Sequence, residues 1–123
     1  MNNIFRGQIY WAELKNAVGS QQRGKRPVII YSNNSNNKHS ETVHVVPLTT
    51  SPSKKKLPTH FEIVGFGLYE NEVNTSLAEC ITQIDKRYLR EYIGVLDENT
   101  MRNVDETVAV QFGLKIENKR RLN

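Results

Sequence analysis

The chain has 123 residues, of which 37% are hydrophobic and 24% charged, values that fit one soluble globular domain and exclude a disordered polymer. No apolar run reaches the roughly 18 residues needed to cross a bilayer, Met1 to Arg6 is too short and polar for a secretory leader, and the single cysteine, Cys80, excludes an internal disulfide, so a cytoplasmic location is expected. The net charge of +4 fits a polyanionic partner and is unevenly spread, with Arg23, Lys25 and Arg26, then Lys54 to Lys56, then Lys119 to Arg121 on the basic side. The acids gather around Glu70 to Glu72 and between Asp97 and Asp105.

In chain order, QIYWAEL (8–14) is rich in aromatic and β-branched types and predicts a first strand. GSQQRGK follows as a glycine-punctuated loop, and residues 27–32 predict a second strand with Arg26 at its opening. The asparagine-rich NNSNNKHSE (33–41) is expected to be a polar hairpin connection. Residues 42–50 predict a third strand, with Val43 and Val45 on one face and Val46 and Leu48 on the other. SPSKKKLP (51–58) reads as an exposed basic loop, residues 59–64 as a fourth strand, and GFGLYENEVN as a further connection. Residues 75–85 predict one fifth strand, 86–91 a helical turn and 92–96 a last short strand.

The period then changes. Met101, Val104, Val108 and Phe112 recur at helical spacing over 98–112, with Asp97 as N-cap and Gly113 as the stop. The expectation is α+β: short antiparallel strands forming a small barrel, closed by a C-terminal helix, in a single domain spanning 1–123.

Several chemistries are disfavoured. Cys80 sits in an apolar segment, where a small buried hydrophobe is the simpler reading than a nucleophile paired with His39, His44 or His60. The histidines have no zinc-ligand spacing, and neither a P-loop nor a dinucleotide fingerprint is present, so neither metal nor cofactor is expected. What remains is arginine, threonine and polar loops. If the second and third strands form a hairpin, Arg26 lies beside Thr49 and Thr50. A guanidinium beside hydroxyls, flanked by Lys25 and Lys54 to Lys56, suits a phosphate; a capped strand end with a solvated charge is the plainer alternative.

The segments GQIYWAEL, VGSQQRGKRPVII, TVHVVPLTT, LPTHFEI and ECITQIDKRYL, in this order from about Arg6 to Leu114, resemble the MazF/PemK toxin family. The resemblance implies an SH3-like or CcdB-like β-barrel core over about 6–114, with the basic tail 115–123 beyond it. It implies a homodimer that cleaves single-stranded RNA at a short sequence without metal and is neutralised by an acidic, MazE-like antitoxin. Carried over by position, the catalytic residues are Arg26 and Thr49. RNA contacts fall to Ser20, Gln21 and Gln22 in the loop that gates access, and to Lys25, Thr50, Lys54, Lys56 and His60. Many relatives carry glutamate in place of Gln21 and arginine in place of Thr82, a difference that bears on the general base and on base preference.

Without metal, RNA is most easily cut by its own 2′-hydroxyl attacking the adjacent phosphate, which is expected to give a 2′,3′-cyclic phosphate and a 5′-hydroxyl. Because a guanidinium stays protonated and yields its proton reluctantly, electrostatic stabilisation is the expected role of Arg26 rather than proton transfer. The rival readings are a CcdB-like toxin that binds a protein target without cutting RNA, and an SH3-like module that binds RNA and protects it.

Overall fold

The computed structural model describes residues 3–15, 24–51, 56–69 and 72–115. Its elements run β1 (Gln8–Leu14), β2 (Gly24–Ile30), α1 (Asn34–His39), β3 (Thr42–Thr49), β4 (His60–Ile63), β5 (Asn74–Leu77), β6 (Thr82–Asp85), β7 (Leu89–Val95) and α2 (Glu98–Phe112). All strand pairs among the described residues are antiparallel.

Five strands lie in the order β6-β3-β2-β1-β7. The outermost two, β6 and β7, are joined only by the 3₁₀ turn Lys86–Tyr88, which Asp85 caps by accepting from the Arg87 N–H at 2.9 Å. A sheet whose first and last strands are tied so closely must bend back on itself, and the expected small barrel is the result. Its inner face carries Tyr10, Ala12, Leu14, Val28, Ile30, Val43 and Val45, closed over by Ile84 of β6 and Leu89 of β7. The outer face carries Ile9, Ile29, Val46 and Leu48, which pack under Val104 and Val108 of α2. The alternation expected for β3, Val43 and Val45 against Val46 and Leu48, is the observed one. At roughly 1.5 to 3 kcal/mol per fully buried aliphatic side chain, these two clusters outweigh the surface ion pairs among the described residues.

The helix ends as its sequence predicts. Asp97 accepts from the Thr100 N–H at 2.8 Å, and Gly113 adopts φ 68°, letting the N–H of Leu114 reach the Ala109 carbonyl at 2.8 Å.

Three expectations are corrected. The 33–41 stretch contains a helix, α1, because its asparagines supply local hydrogen bonds that offset their poor propensity. Asn33 caps the helix through Asn36 N–H at 2.8 Å, and the buried Asn37 amide donates to the Ser32 carbonyl at 2.8 Å. The single strand expected over 75–85 is two, β5 and β6, broken by a 3₁₀ turn at Ala78–Cys80. They pair with different halves of the same edge of β3, which no unbroken strand could do while the sheet bends. Finally, β2 begins at Gly24 and β7 at Leu89, both earlier than expected, because each is held along β1. The apolar residues Leu77, Ala78 and Cys80 are buried within this one chain.

Two polar clusters tie the elements. Arg6 Nη2 and the Tyr31 hydroxyl both donate to Asp105 Oδ1 at 2.5 Å, Arg6 Nη1 donates to the Tyr31 carbonyl at 2.6 Å, and the guanidinium stacks 4.4 Å from the Tyr31 ring centre. Burial, then the hydrogen bond and charge of Asp105, push the Tyr31 phenol up to about 12. The chain's start, the end of β2 and α2 are thereby joined. In the second cluster, Glu79 accepts from Thr59 Oγ1 at 2.8 Å and lies 2.7 Å from His60 Nε2. Burial alone would raise the Glu79 carboxyl, but the hydrogen bonds from His60 and Thr59 outweigh it and hold the group below its ordinary 4.5.

Asp105→Ala strands Arg6 and the Tyr31 hydroxyl together, and chemical denaturation should show a loss of about 2 to 3 kcal/mol, tempered by the partial exposure of Arg6. Because Glu79 is depressed in the folded state, its contribution is complete above about 4.5 and disappears as pH falls through the lower folded value. Glu79→Gln should therefore flatten the acid limb of a stability–pH curve below about pH 4.5 and leave the neutral-to-alkaline limb parallel to wild type.

Candidate active site

Two prolines shape the site. Backbone groups alternate sides along a strand, so partner assignments can be read from single bonds. The Tyr31 N–H donates to the His44 carbonyl at 2.8 Å, which places the backbone groups of residues 29 and 27 toward β3. Pro27 has no N–H for the next rung, and the β2–β3 ladder ends at Val28↔Pro47. Below that point β2 stays with β1 down to Leu14↔Gly24, while β3 pairs with β5 through Leu48↔Ser76 and Thr49↔Thr75. The two strands part. Pro47 faces the opposite edge, at the step where β3 leaves β6 at Val45↔Thr82 and takes up β5, so its missing donor falls where no partner strand lies.

The parting opens a cavity of about 520 Å³. One wall is Lys25, Arg26 and Pro27 of β2 with Leu48 and Thr49 of β3 and Thr50 just past its end. Continuing the β2–β3 register two residues past its last pair sets Arg26 opposite Thr49. Thr49 is buried, and its Oγ1 accepts from the Ser51 N–H at 3.2 Å. The far wall is Glu91, Tyr92 and Ile93 of β7 with Gly67, Leu68, Tyr69, Glu72 and Asn74, and Trp11 of β1 completes it. The 65–69 turn is pressed against β7 backbone to backbone. A Cβ on Gly94 would stand 1.9 Å from the Phe66 carbonyl oxygen, and one on Gly67 2.1 Å from that of Ile93, so only glycines allow this wall.

The cavity's charges are mixed. Lys25 Nζ lies 3.2 Å from Glu91 Oε2 and 5.7 Å from the centre of the Trp11 ring. The hydrogen bond from Lys25, aided by the Glu91 backbone, holds the Glu91 carboxyl below its ordinary value, so it is ionised at neutral pH. Among the described residues no three His, Cys, Asp or Glu side chains come together as a metal site, and no helix is long and apolar enough to cross a membrane.

Of the residues singled out from sequence, Lys25, Arg26, Thr49 and Thr50 line this one cavity. Arg26 lies inside β2 rather than at a loop junction, anchored by its pairing with Ala12. His60 is elsewhere: its side chain is nearly buried on β4 against Glu79. Lys56 is exposed beside Glu62 at 3.3 Å. Ser20, Gln21, Gln22 and Lys54 lie outside the described residues. Sequence reading missed Trp11, Tyr69, Glu72, Asn74, Glu91 and Tyr92. For Trp11 a signal existed, since a β1–β2 hairpin sets it opposite Pro27. For Glu91 and Tyr92 none did, because β7 reaches β1 from the other end of the chain.

A family model described as the PemK-like, MazF-like toxin of type II toxin–antitoxin systems matches residues 5–112. Over 111 residues the chain is 39% identical to the endoribonuclease MazF of Staphylococcus epidermidis, covering 90% of this chain and 92% of that protein. A mycobacterial endoribonuclease solved in complex with its cognate antitoxin superposes with a TM-score of 0.76 at 28% identity, covering 93% of this chain and 99% of that one. The fold is also that of MazF from Deinococcus radiodurans, with a TM-score of 0.77 over 93% of this chain and 100% of that one. With its barrel, its helix and its sequence all matched nearly end to end, this chain belongs to the PemK-like, MazF-like family of toxins of type II toxin–antitoxin systems.

Proposed function

We propose that the protein is an endoribonuclease toxin that cuts single-stranded RNA in the cavity between β2 and β3, and that Arg26 and Thr49 act on the scissile phosphate. The observation that carries this reading is that Arg26 and the buried Thr49 line one cavity, on strands that part at Pro27. The 2′-oxygen attacks phosphorus, the bond to the 5′-oxygen breaks, the 2′-hydroxyl gives up its proton and the 5′-oxygen takes one. The products are a 2′,3′-cyclic phosphate and a 5′-hydroxyl, and no metal is required. Negative charge grows on the non-bridging oxygens, where a fixed guanidinium stabilises it by roughly 3 to 4 kcal/mol. Thr49 accepts from the Ser51 N–H, which leaves its own O–H to donate to the same phosphate.

Strand pairing is what makes Arg26 effective: a side chain rooted in β2 needs no reorganisation as charge develops. Lys25 and Thr50 contact the RNA beside it, and Ser20, Gln21, Gln22, Lys54 and Lys56 extend the contact along the strand. His60, held by Glu79 outside the cavity, fixes β4 rather than meeting RNA directly. The protein acts in the cytoplasm as a homodimer, a state favoured by the exposed Val110, Phe112 and Leu114 at the end of α2. An acidic antitoxin covers the basic residues and blocks RNA.

Arg26→Lys keeps the charge but loses the planar fork that holds two oxygens. Single-turnover cleavage of a short RNA in EDTA should fall roughly a hundredfold or more, with affinity for the same RNA carrying a 2′-deoxy cut site little changed. Thr49→Ala should lose less, in the same step. Near-normal cleavage by a folded Arg26→Lys protein would reduce Arg26 to a binding residue, and RNA left whole by wild type would remove the nuclease reading altogether. For the antitoxin, replacing Lys54, Lys55 and Lys56 by glutamine should slow association and flatten its salt dependence; unchanged rates at low salt would assign those lysines to solvent.

A further inference from the structure

The far wall of the cavity carries more aromatic surface than closing a pocket requires. Tyr69 is 70% exposed and Tyr92 51% exposed, and both line the same cavity as Arg26 and Thr49. Monomeric surfaces expose single aromatics commonly, but here two converge with Trp11 on one concavity that Arg26 and Thr49 also line. The Tyr92 ring is held in place. Tyr92 meets the buried Tyr10 edge to face, with centroids 5.5 Å apart, and Tyr10 in turn is fixed by its hydroxyl 3.0 Å from Gln8 Oε1. Tyr69 follows the turn that Gly67 and Gly94 press against β7. A pre-positioned ring such as that of Tyr92 loses little freedom on binding, so its surface converts efficiently into affinity.

We infer that Tyr69 and Tyr92 form a base-stacking subsite, which holds one unstacked base of a single-stranded RNA while Arg26 and Thr49 hold a neighbouring phosphate. The reading rests on the RNA substrate proposed above and extends it from phosphate to base. Two features favour a nucleotide over a peptide side chain as occupant. Arg26 and Thr49 supply the charge and hydroxyl that a phosphate needs, Lys25 being paired with Glu91, and the aromatic rings line the same cavity of about 520 Å³, inside the range of small-ligand pockets. Stacking on tyrosine uses the ring face alone, which every base offers. The subsite therefore sets how firmly a base is splayed from its neighbours, and so how straight the adjacent phosphate lies for attack.

The test separates base from phosphate without requiring cleavage. Random-sequence RNA heptamers, 2′-O-methylated throughout so that no site is cut, are compared with a 2′-O-methylated abasic heptamer. Binding is read from the fluorescence of Trp11, the chain's single tryptophan, which lines the cavity. Wild type should bind the base-bearing heptamers roughly tenfold or more tighter than the abasic chain. Tyr69→Ala, at a position exposed enough to leave folding intact, should narrow that gap severalfold, Tyr92→Ala should narrow it further, and Tyr69→Phe and Tyr92→Phe should retain it. All variants should keep wild-type affinity for the abasic chain. A gap unchanged in both alanine variants overturns the subsite, as does a loss confined to antitoxin binding. A wild type that keeps the gap but cuts no RNA strikes the nuclease reading and leaves this one standing.

Discussion

Strand β3 must satisfy partners on both edges, and the rest of the molecule is arranged around that requirement. On one edge it pairs with β2, on the other first with β6 and then with β5. A strand so surrounded has no room for a residue lacking an N–H, except where a partner is missing. Pro47 occupies such a gap, and across the ladder Pro27 creates one. The barrel and the β4–β5 wing can therefore share a strand, because pairing is interrupted at defined rungs instead of failing along its length. The cavity is the space this interruption leaves.

Around that frame, apolar burial supplies the stability and polar clusters supply the geometry. The two faces of the barrel sheet bury separate aliphatic clusters, one enclosed by β6 and β7 and one roofed by α2. Neither cluster determines where α2 points along the sheet. That falls to Asp105, whose one carboxylate oxygen takes donors from the chain's start and from the end of β2. A carboxylate receiving two donors in a largely buried setting has few alternatives of equal energy, so it selects one packing among several that burial alone would allow.

Much of the fold was legible because periodicity is local. β1, β3 and α2 appear at their expected bounds within a residue, with Asp97 and Gly113 as the predicted caps. The neighbourhood of Arg26 and Thr49 followed from assuming one hairpin. Helix α1 was not legible, since its stability lies in side-chain bonds such as Asn37 to Ser32 that propensity does not count. The break at Ala78–Cys80 was equally hidden: the segment is continuously apolar, and only the demand of one edge of β3 for two partners splits it. The same limit applied to the cavity. Its β2 and β3 wall was readable from neighbouring strands, whereas Glu91, Tyr92 and the 65–69 turn arrive by pairings that no local pattern encodes.

The pairing of β1 with β7 also orders events during synthesis. Tyr10 waits for Tyr92, and Gln8 for Val95. At roughly 5 to 20 residues per second, some 4 to 16 seconds separate their translation. Through that interval the β2 and β3 side of the cavity has no opposing wall, and the β1–β7 ladder must then close across nearly the whole chain, a slow step by contact order. A chain that has not yet presented β7 thus carries Arg26 and Thr49 without the Glu91, Tyr92 and Ile93 side of the cavity. The two sides of the cavity are thus brought together by a long-range pairing, so the cavity is assembled late in folding rather than with the β2–β3 ladder.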